Sequence, residues 1–248
     1  SPHGGRVYAT DPPERSTRAR PPRYDSSREG AAALGKTKTT DRLISAFATA
    51  SRLWDEAARR TAPGDVACRA GCFGCCIGLF EISLAEASLV RSGVAALPDE
   101  VQADILARAR RIVSESAQAF PGDAARGLLD PDRTEAADDA YFEVVADRAC
   151  PMLELPSGRC RIYAARPITC RTYGFAWAKD GAVIHPPCGL NLPGASTGTQ
   201  LAASIDIGRI DEAGAVAGEI AKDLDLDPEV ESTIAHAVVG SAFGPRLG

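Results

Sequence analysis

The chain has 248 residues, of which 45% are hydrophobic, and a formal net charge of −5. A chain of this length can bury a core without disulfide staples, and its acidic balance argues against a protein that mainly binds the phosphate backbone of nucleic acid. The sequence contains no window of about 18 apolar residues, which a membrane-spanning helix would require. It also shows no basic start followed by an apolar run, the pattern of a secretory signal, so we expect a cytoplasmic protein.

Residues 1–40 differ in composition from the rest of the chain. They hold eight basic residues, four acidic residues and five prolines, but few large apolar side chains. Such a segment cannot bury enough apolar surface to offset the entropy lost on ordering. We therefore predict a disordered basic Pro/Arg-rich tail over 1–40, whose charge of +4 leaves −9 for the remainder. We expect the tail to be solvated, and contact with an acidic protein partner is the alternative.

The first predicted helix runs from Asp41 to about Arg60, behind a possible Thr40 cap. Apolar residues recur there at intervals of three and four, as on one face of an amphipathic helix. The predicted buried face consists of Leu43, Phe47, Ala50, Trp54 and Ala57.

Two further helices are predicted before residue 120. Ser83 and Glu86 have the spacing of a capping box, and Gly93 is expected to end the helix that they begin. Pro98 then occupies the first turn of a helix that extends to about Ser116. The acidic segment 121–140, rich in turn residues, is expected to be an exposed connection.

Helical periodicity is lost in residues 141–192, where Pro, Gly and aromatic residues increase. Lys179, Asp180 and Gly181 are expected to form the tight turn of a β-hairpin. Near the C-terminus, Asp227 is a natural N-cap for a last helix, whose buried face would be Val230, Ile234 and Val238. The expected fold is a single α+β domain over 41–248, mostly α-helical, with a small irregular cysteine-bearing β-hairpin region.

The eight cysteines fall into two stretches. Four of them occupy nine residues in the pattern C-x3-C-x2-C-C: Cys68, Cys72, Cys75 and Cys76. If that stretch is helical, its thiols share about 100° of arc, and because of the glycines among them a tight loop that opens into a helix is an equal alternative. Both geometries bring the thiols together. The other four cysteines are dispersed over about forty residues of sequence: Cys150, Cys160, Cys170 and Cys188.

Three roles are open to these thiols: metal ligation, disulfide bonding and nucleophilic catalysis. Eight thiols are enough for two four-coordinate sites, or for one cluster with an additional ion. Cysteine ligands are suited to zinc and to iron–sulfur clusters, including 4Fe–4S. A reducing cytoplasm disfavours disulfides, and a bridge between the adjacent Cys75 and Cys76 would be strained. A nucleophilic cysteine would need an activating histidine. The composition favours metal ligation, with all eight cysteines as ligands.

Charged side chains near the cysteines complete the predicted metal site. Thiolates around a dication leave excess negative charge, which neighbouring arginines can neutralise while they orient the ligands. Of the three histidines, only His185, three residues before Cys188, has a fair chance of joining the site, and His236 is expected to have a surface or core role. The flanking arginines are Arg69, Arg159, Arg161, Arg166 and Arg171.

The sequence resembles the YkgJ-type cysteine-cluster proteins over residues 68 to 190. Their CxxxCxxCC motif is present as Cys68 to Cys76, and a later pattern is present as Cys150-Pro151, Cys160-x-Ile-Tyr and Arg166-Pro-x-x-Cys-Arg171. The resemblance implies a zinc- or iron-chelating domain with these cysteines as ligands. It supplies no reaction.

Two functions from different classes follow. One is a metal-binding protein whose thiolates hold zinc or an iron–sulfur cluster for structural or redox purposes. The alternative is an enzyme that uses the metal centre, such as a SAM-dependent protein N-methylase-like transferase, because the flagellin lysine-N-methylases carry a similar cysteine cluster. Under that alternative Tyr163, Arg166, Arg171 or His185 would line a pocket beside the metal. The chain contains no glycine-rich nucleotide loop after a predicted strand.

Overall fold

The computed structural model describes residues 38–240 of the chain, and about half of these are helical. The expected α-rich α+β class is therefore confirmed. Within this range no helix is both long and apolar enough to cross a membrane. The described helices are α1 (Lys38–Arg59), α2 (Leu84–Ala95), α3 (Asp99–Ser116), α4 (Glu135–Val144), α5 (Ile168–Thr172), α6 (Thr197–Ala202), α7 (Ile207–Asp223) and α8 (His236–Val239), with 3-10 turns at Gly74–Cys76 and Tyr163–Ala165.

Short strands form small sheets beside the helices. The strands are β1 (Glu81–Ser83), β2 (Gly122–Asp123), β3 (Leu128–Leu129), β4 (Leu153–Glu154), β5 (Arg159–Cys160), β6 (Trp177–Lys179), β7 (Ala182–His185), β8 (Ile205–Asp206) and β9 (Glu231–Thr233). Three sheets are antiparallel pairs: β1 with β9, β2 with β3, and β4 with β5. In the fourth sheet β6 pairs with β7 antiparallel and with β8 parallel.

Helix α2 lies at the centre of the fold, and ten of its twelve residues are buried. A helix that is buried on all sides needs other elements packed around it. Around α2 these are α3, α7, α8 and the second 3-10 turn. The predicted capping box at its start is confirmed, because Ser83 Oγ accepts from the Glu86 amide at 3.3 Å and the Glu86 carboxylate accepts from the Ser83 amide at 2.9 Å.

Helix α1 matches the prediction closely and packs against α7 and α5. Its buried face includes Leu53, whereas Trp54 lies at the edge and its Nε1 donates to the carbonyl of Tyr173 at 3.1 Å. Residues 38–40, which the sequence assigned to the tail, belong to this helix, and the rest of the predicted tail lies outside the described residues.

The predicted end of α2 at Gly93 is wrong, because the helix continues to Ala95. Gly93 is a packing contact instead: a Cβ at this position would lie 2.6 Å from the Cβ of Ala165. The glycine therefore lets the second 3-10 turn, which leads into α5, approach the central helix closely.

The predicted C-terminal helix from Asp227 is also wrong. The Asp227 carboxylate accepts from the amide of Glu229, as in a turn, and the chain then forms strand β9. Strand β9 pairs with β1, so that Ser232 lies opposite Ile82 in the buried interior. Long-range pairing with β1 overrides the local helical pattern, and helix follows only from His236.

Two further predicted regions, segment 121–140 and the β6–β7 hairpin, contain regular secondary structure. The segment 121–140 is mostly exposed, as expected, but contains the β2–β3 hairpin and the start of α4, which Thr134 caps by accepting from the Ala137 amide. The predicted hairpin of β6 and β7 is confirmed. Its turn residues Asp180 and Gly181 have φ values of 51° and 77°, as a two-residue hairpin turn with two left-handed positions requires.

His236 lies in the core, in agreement with the prediction of a core or surface role, and only 1% of its surface is exposed. Its Nδ1 is 2.9 Å from Thr233 Oγ1, and its ring centroid lies 4.1 Å from that of Phe120. Nε2 has no hydrogen-bond partner within the described part of the chain. Removal from water lowers the pKa of His236 to about 4.

Alanine at Gly93 should destabilise the protein. The added Cβ meets the Cβ of Ala165, so the backbone must shift, and we expect the free energy of unfolding to fall by about 1–3 kcal/mol in urea titrations. Gly214→Ala is the matched control, since a Cβ at that helical glycine of α7 meets nothing within 4 Å. It should stabilise the protein by up to about 1 kcal/mol, and a Gly93→Ala protein as stable as Gly214→Ala would contradict the packing.

Burial of neutral His236 should make stability depend on pH. The folded-state pKa of about 4 is below the ordinary value of 6.5. Between about pH 6.5 and pH 4, His236 is therefore protonated in the unfolded chain but neutral in the folded chain. Acidification over this range lowers the free energy of unfolding by about 3 kcal/mol. His236→Asn retains a polar group near Thr233 but does not titrate. The difference in unfolding free energy between wild type and variant should shrink by this amount between pH 7 and pH 4, and a constant difference would contradict the assignment.

Candidate metal centre

The first cysteine stretch is a loop that contains a single 3-10 turn at Gly74–Cys76, so of the two predicted geometries the loop is the one adopted. The Cys76 carbonyl accepts from the amide of Cys150 at 2.8 Å, and the next pair, Ile77 and Ala149, forms an antiparallel bridge. These backbone contacts place the end of the first stretch beside the start of the second.

The β4–β5 hairpin adds Cys160 to this region. Leu153 lies opposite Cys160 in the hairpin, and the Leu153 amide donates to the carbonyl of Cys150 at 3.0 Å. The hairpin turn also touches the first loop, because a Cβ at Gly158 would lie 2.4 Å from the carbonyl oxygen of Gly71. Only glycine fits this approach, which holds the second stretch against the first.

Helix α5 carries Cys170, and buried Glu86 positions its start. One carboxylate oxygen of Glu86 accepts from the Ile168 amide at 2.9 Å, while the other accepts from both the amide and the hydroxyl of Ser83. Burial raises the pKa of Glu86, and these hydrogen bonds oppose that rise. The capping carboxylate of α2 therefore also serves as the N-terminal acceptor of α5.

Cys188 approaches from the loop that follows β7. Its amide donates to the carbonyl of Gly174 at 3.2 Å, and its carbonyl accepts from the amide of Asn191 at 2.8 Å. The Asn191 side chain in turn contacts Cys68, with Nδ2 at 3.2 Å from Sγ. Although 120 residues separate them in sequence, Cys68 and Cys188 thus belong to one hydrogen-bonded unit.

Three other thiols influence the pKa of Cys68, and with it they are called the first thiol group: Cys68, Cys72, Cys75 and Cys188. Burial, opposed by a hydrogen bond from Asn191 and assisted by charge repulsion from the other three members, raises the pKa of Cys68 to about 12. Burial also raises the pKa of Cys72, with repulsion from Cys75 and Cys188.

A second thiol group consists of Cys150, Cys160, Cys170 and again Cys75. Burial, with repulsion from Cys160 and Cys75, raises the pKa of Cys150 to about 12. Burial raises the pKa of Cys170 as well, with repulsion from the other three members. Cys75 is common to both groups, and a hydrogen bond with the adjacent Cys76 is the largest factor that raises its pKa.

All eight cysteines are free thiols in the described residues. Within the same residues, no three Cys, His, Asp or Glu side chains stand in the geometry of a ready metal site. The backbone therefore brings the two stretches together, while the assignment of individual thiols as ligands stays a prediction.

Two of the five predicted arginines lie at the second thiol group. Arg166 stacks on the Tyr163 ring, with Cζ 3.5 Å from the ring centroid, and its charge lowers the pKa of both Cys160 and Cys170 against the effect of burial. Arg171 donates to the carbonyls of Arg166 and Ala164 and to Ser51 Oγ. Burial and the charge of Arg166 lower the pKa of Arg171 to about 10, so it is a cation at neutral pH.

The other three arginines differ in their surroundings. Arg69 is exposed but close enough to oppose the rise in the pKa of Cys72. Arg161 forms an ion pair with Asp104, and Arg159 is exposed.

Sequence reasoning missed two residues that contact the cysteine segments. Arg108, on α3, donates to the carbonyls of Leu153 at 2.6 Å and Cys150 at 3.1 Å. Asn191 contacts Cys68 as described above. Neither lies within a spacing pattern that marks it, and only the proximity of Asn191 to Cys188 in the sequence could have drawn attention to it.

His185 lies on β7 beside two aromatic rings. Its ring centroid is 4.9 Å from that of Trp177 and 5.8 Å from that of Tyr173. Ligation by His185 stays a prediction.

The donor chemistry of the region fits a bound metal. Thiols removed from water resist ionisation, whereas a bound cation makes the thiolate the stable form. The guanidinium groups beside the cysteines would balance the negative charge that several thiolates leave around a cation.

Comparison with known families agrees with this chemistry. Residues 67–189 match the family CxxCxxCC, which is described as a "Putative zinc- or iron-chelating domain". No curated protein and no solved structure matches the chain.

Removal of the Glu86 carboxylate should destabilise the protein and loosen the segment that carries Cys170. Glu86→Ala leaves the partly buried amide of Ser83 and the buried amide of Ile168 without an acceptor, so we expect the free energy of unfolding to fall by about 3 kcal/mol in urea titrations. Glu86→Gln retains one carbonyl oxygen for Ile168 and should lose less. Equal stability of Glu86→Ala and wild type would show that these hydrogen bonds do not hold α5.

Proposed function

Residues 67–189 of this chain belong to the CxxCxxCC cysteine-cluster family, and on that premise we propose a metal-binding protein whose thiolates hold zinc or an iron–sulfur cluster. All eight cysteines are the proposed ligands: Cys68, Cys72, Cys75, Cys76, Cys150, Cys160, Cys170 and Cys188. The bound metal would fold the irregular region around the two stretches or provide a redox centre.

The observation that carries this proposal is the pair of cations beside the second thiol group. Arg166 and Arg171 are partly buried, and among the described residues neither forms an ion pair with a carboxylate. Their polar partners are backbone carbonyls and Ser51, which are neutral groups. Cations withdrawn from water are stable when an anion compensates them.

A thiolate metal centre supplies such an anion. Four thiolates around a dication leave about two negative charges, which two guanidinium groups offset. Neutral thiols would leave both arginines uncompensated. The charges of Arg166 and Arg171 therefore favour ligated thiolates over free thiols or disulfides at Cys160 and Cys170.

The two thiol groups support two adjacent centres. Cys75 is common to both groups, and the adjacent Cys76 is joined to Cys150 through the backbone. We propose that Cys68, Cys72 and Cys188 bind on one side of the Cys75–Cys76 pair and that Cys150, Cys160 and Cys170 bind on the other.

A cytoplasmic location fits this use of cysteine. All eight thiols are free in the described residues, and a reducing compartment keeps thiols available for metal rather than disulfides. We include this location in the proposal, with a protein partner for the basic tail as a further expectation.

Metal and sulfide analysis tests the proposal. We expect the full chain, purified anaerobically, to contain either zinc in stoichiometric amount and no colour, or iron with acid-labile sulfide and a brown colour. Complete removal of the metal by a chelator should disorder residues 68–190, which circular dichroism and limited proteolysis would detect. A chain that holds neither metal would overturn the proposal, whereas a fold that is unchanged after complete chelation would overturn the structural role and leave the redox role.

Single cysteine variants test the arrangement. Cys188→Ser and Cys170→Ser should each reduce the metal content of one centre, whereas Cys75→Ser should reduce both because this thiol belongs to both groups. Equal losses in the three variants would contradict the two-centre arrangement while leaving metal binding intact.

A further inference from the structure

Asn191 is a buried polar residue that joins separate segments of the first thiol group, and 2% of its surface is exposed. Its Oδ1 accepts from the amide of Ala67 at 2.9 Å, and its Nδ2 donates to the carbonyl of Gly174 at 2.8 Å and to Cys68 Sγ at 3.2 Å. One side-chain amide therefore fixes the backbone before Cys68, the backbone at Gly174 and the sulfur itself.

The orientation of this amide follows from its partners. Ala67 supplies an N–H, which needs an oxygen, and Gly174 supplies a carbonyl, which needs an N–H. A flipped amide would lose both bonds. Nδ2 consequently donates to Cys68 Sγ at 3.2 Å, and the Cys68 thiol donates to Oδ1 at 3.6 Å. A thiolate bound to metal would lose the longer bond and keep the N–H donor of Nδ2.

The same residue organises Cys188. The Asn191 backbone amide donates to the carbonyl of Cys188 at 2.8 Å, and Gly174 accepts from both the Cys188 amide and the Asn191 side chain. Space at Gly174 is tight, because a Cβ there would lie 3.1 Å from Asn191 Nδ2 and 3.3 Å from Cys68 Sγ. Two ligands from opposite ends of the family region are thus placed by one asparagine and one glycine.

The geometry points to Asn191 as a positioning residue of the first metal centre, whose Nδ2 donates to the Cys68 thiolate and whose loop delivers Cys188 to the same ion. This inference rests on the proposed function. It assigns a role to a residue outside the CxxCxxCC region, two positions beyond its last matched residue.

Zinc retention in the presence of a chelator tests the inference on the zinc-loaded full chain. Asn191→Ala removes the donor, and Asn191→Asp keeps an acceptor for Ala67 but points a carboxylate oxygen at the sulfur and at the Gly174 carbonyl. We expect both variants to lose zinc at about 10- to 100-fold lower chelator concentration than wild type, with Asn191→Asp the weaker binder. Circular dichroism of the zinc-loaded protein shows which Asn191 variants are folded. One folded variant is sufficient for the test.

The matched control is Ser232→Ala, which removes a buried hydroxyl that donates to the carbonyl of Gly127 at 2.7 Å, on the β9 strand. It should lower thermal stability but leave zinc retention unchanged, so general destabilisation is separated from loss of a ligand contact. If wild type holds zinc and both Asn191 variants hold it equally well, the role of Asn191 is overturned while the proposed function stands. If wild type holds no zinc and no iron, the proposed function itself fails and the role of Asn191 falls with it.

Discussion

Charge compensation is the constraint on which the cysteine region depends. Arg166 and Arg171 hold positive charge beside thiols that are themselves shielded from water, and their hydrogen bonds go to neutral groups. Hydrogen bonds to carbonyls orient a guanidinium but do not neutralise it. The proposed metal centre would resolve both problems, since the cation would stabilise the thiolates and their remaining negative charge would stabilise the arginines.

Several features of the fold position this region without providing ligands. Glu86 joins the start of the central helix to the start of the Cys170 helix, and Gly93 allows the intervening 3-10 turn to pack closely. On the other side, Trp54 of α1 donates to the carbonyl of Tyr173, next to the glycine that contacts Cys68 and Asn191. Helices α1 and α2 therefore hold the short, irregular segments that bear the thiols.

Local chemistry was predictable from sequence, and long-range contact was not. The Ser83–Glu86 capping box and the turn at Asp180 and Gly181 involve residues within a few positions of each other, so their patterns were sufficient. Strand β9 was mistaken for helix because its conformation depends on pairing with β1, about 150 residues earlier. The cysteine spacing indicated metal chemistry, but Arg108 and Asn191 reach the site through folding, and no spacing in the sequence shows which residues meet there.

Pairing of β1 with β9 also ties the cysteine region to a part of the chain that lies beyond the family match. Strand β1 begins five residues after Cys76 and leads into the central helix, while β9 and His236 lie more than forty residues past residue 189. Excision of 67–189 at the family boundaries would remove α7 and α8, which pack against α2, and leave an apolar surface facing water. The structure that supports the cysteine region thus extends beyond the family match, and recombinant fragments should keep both flanks.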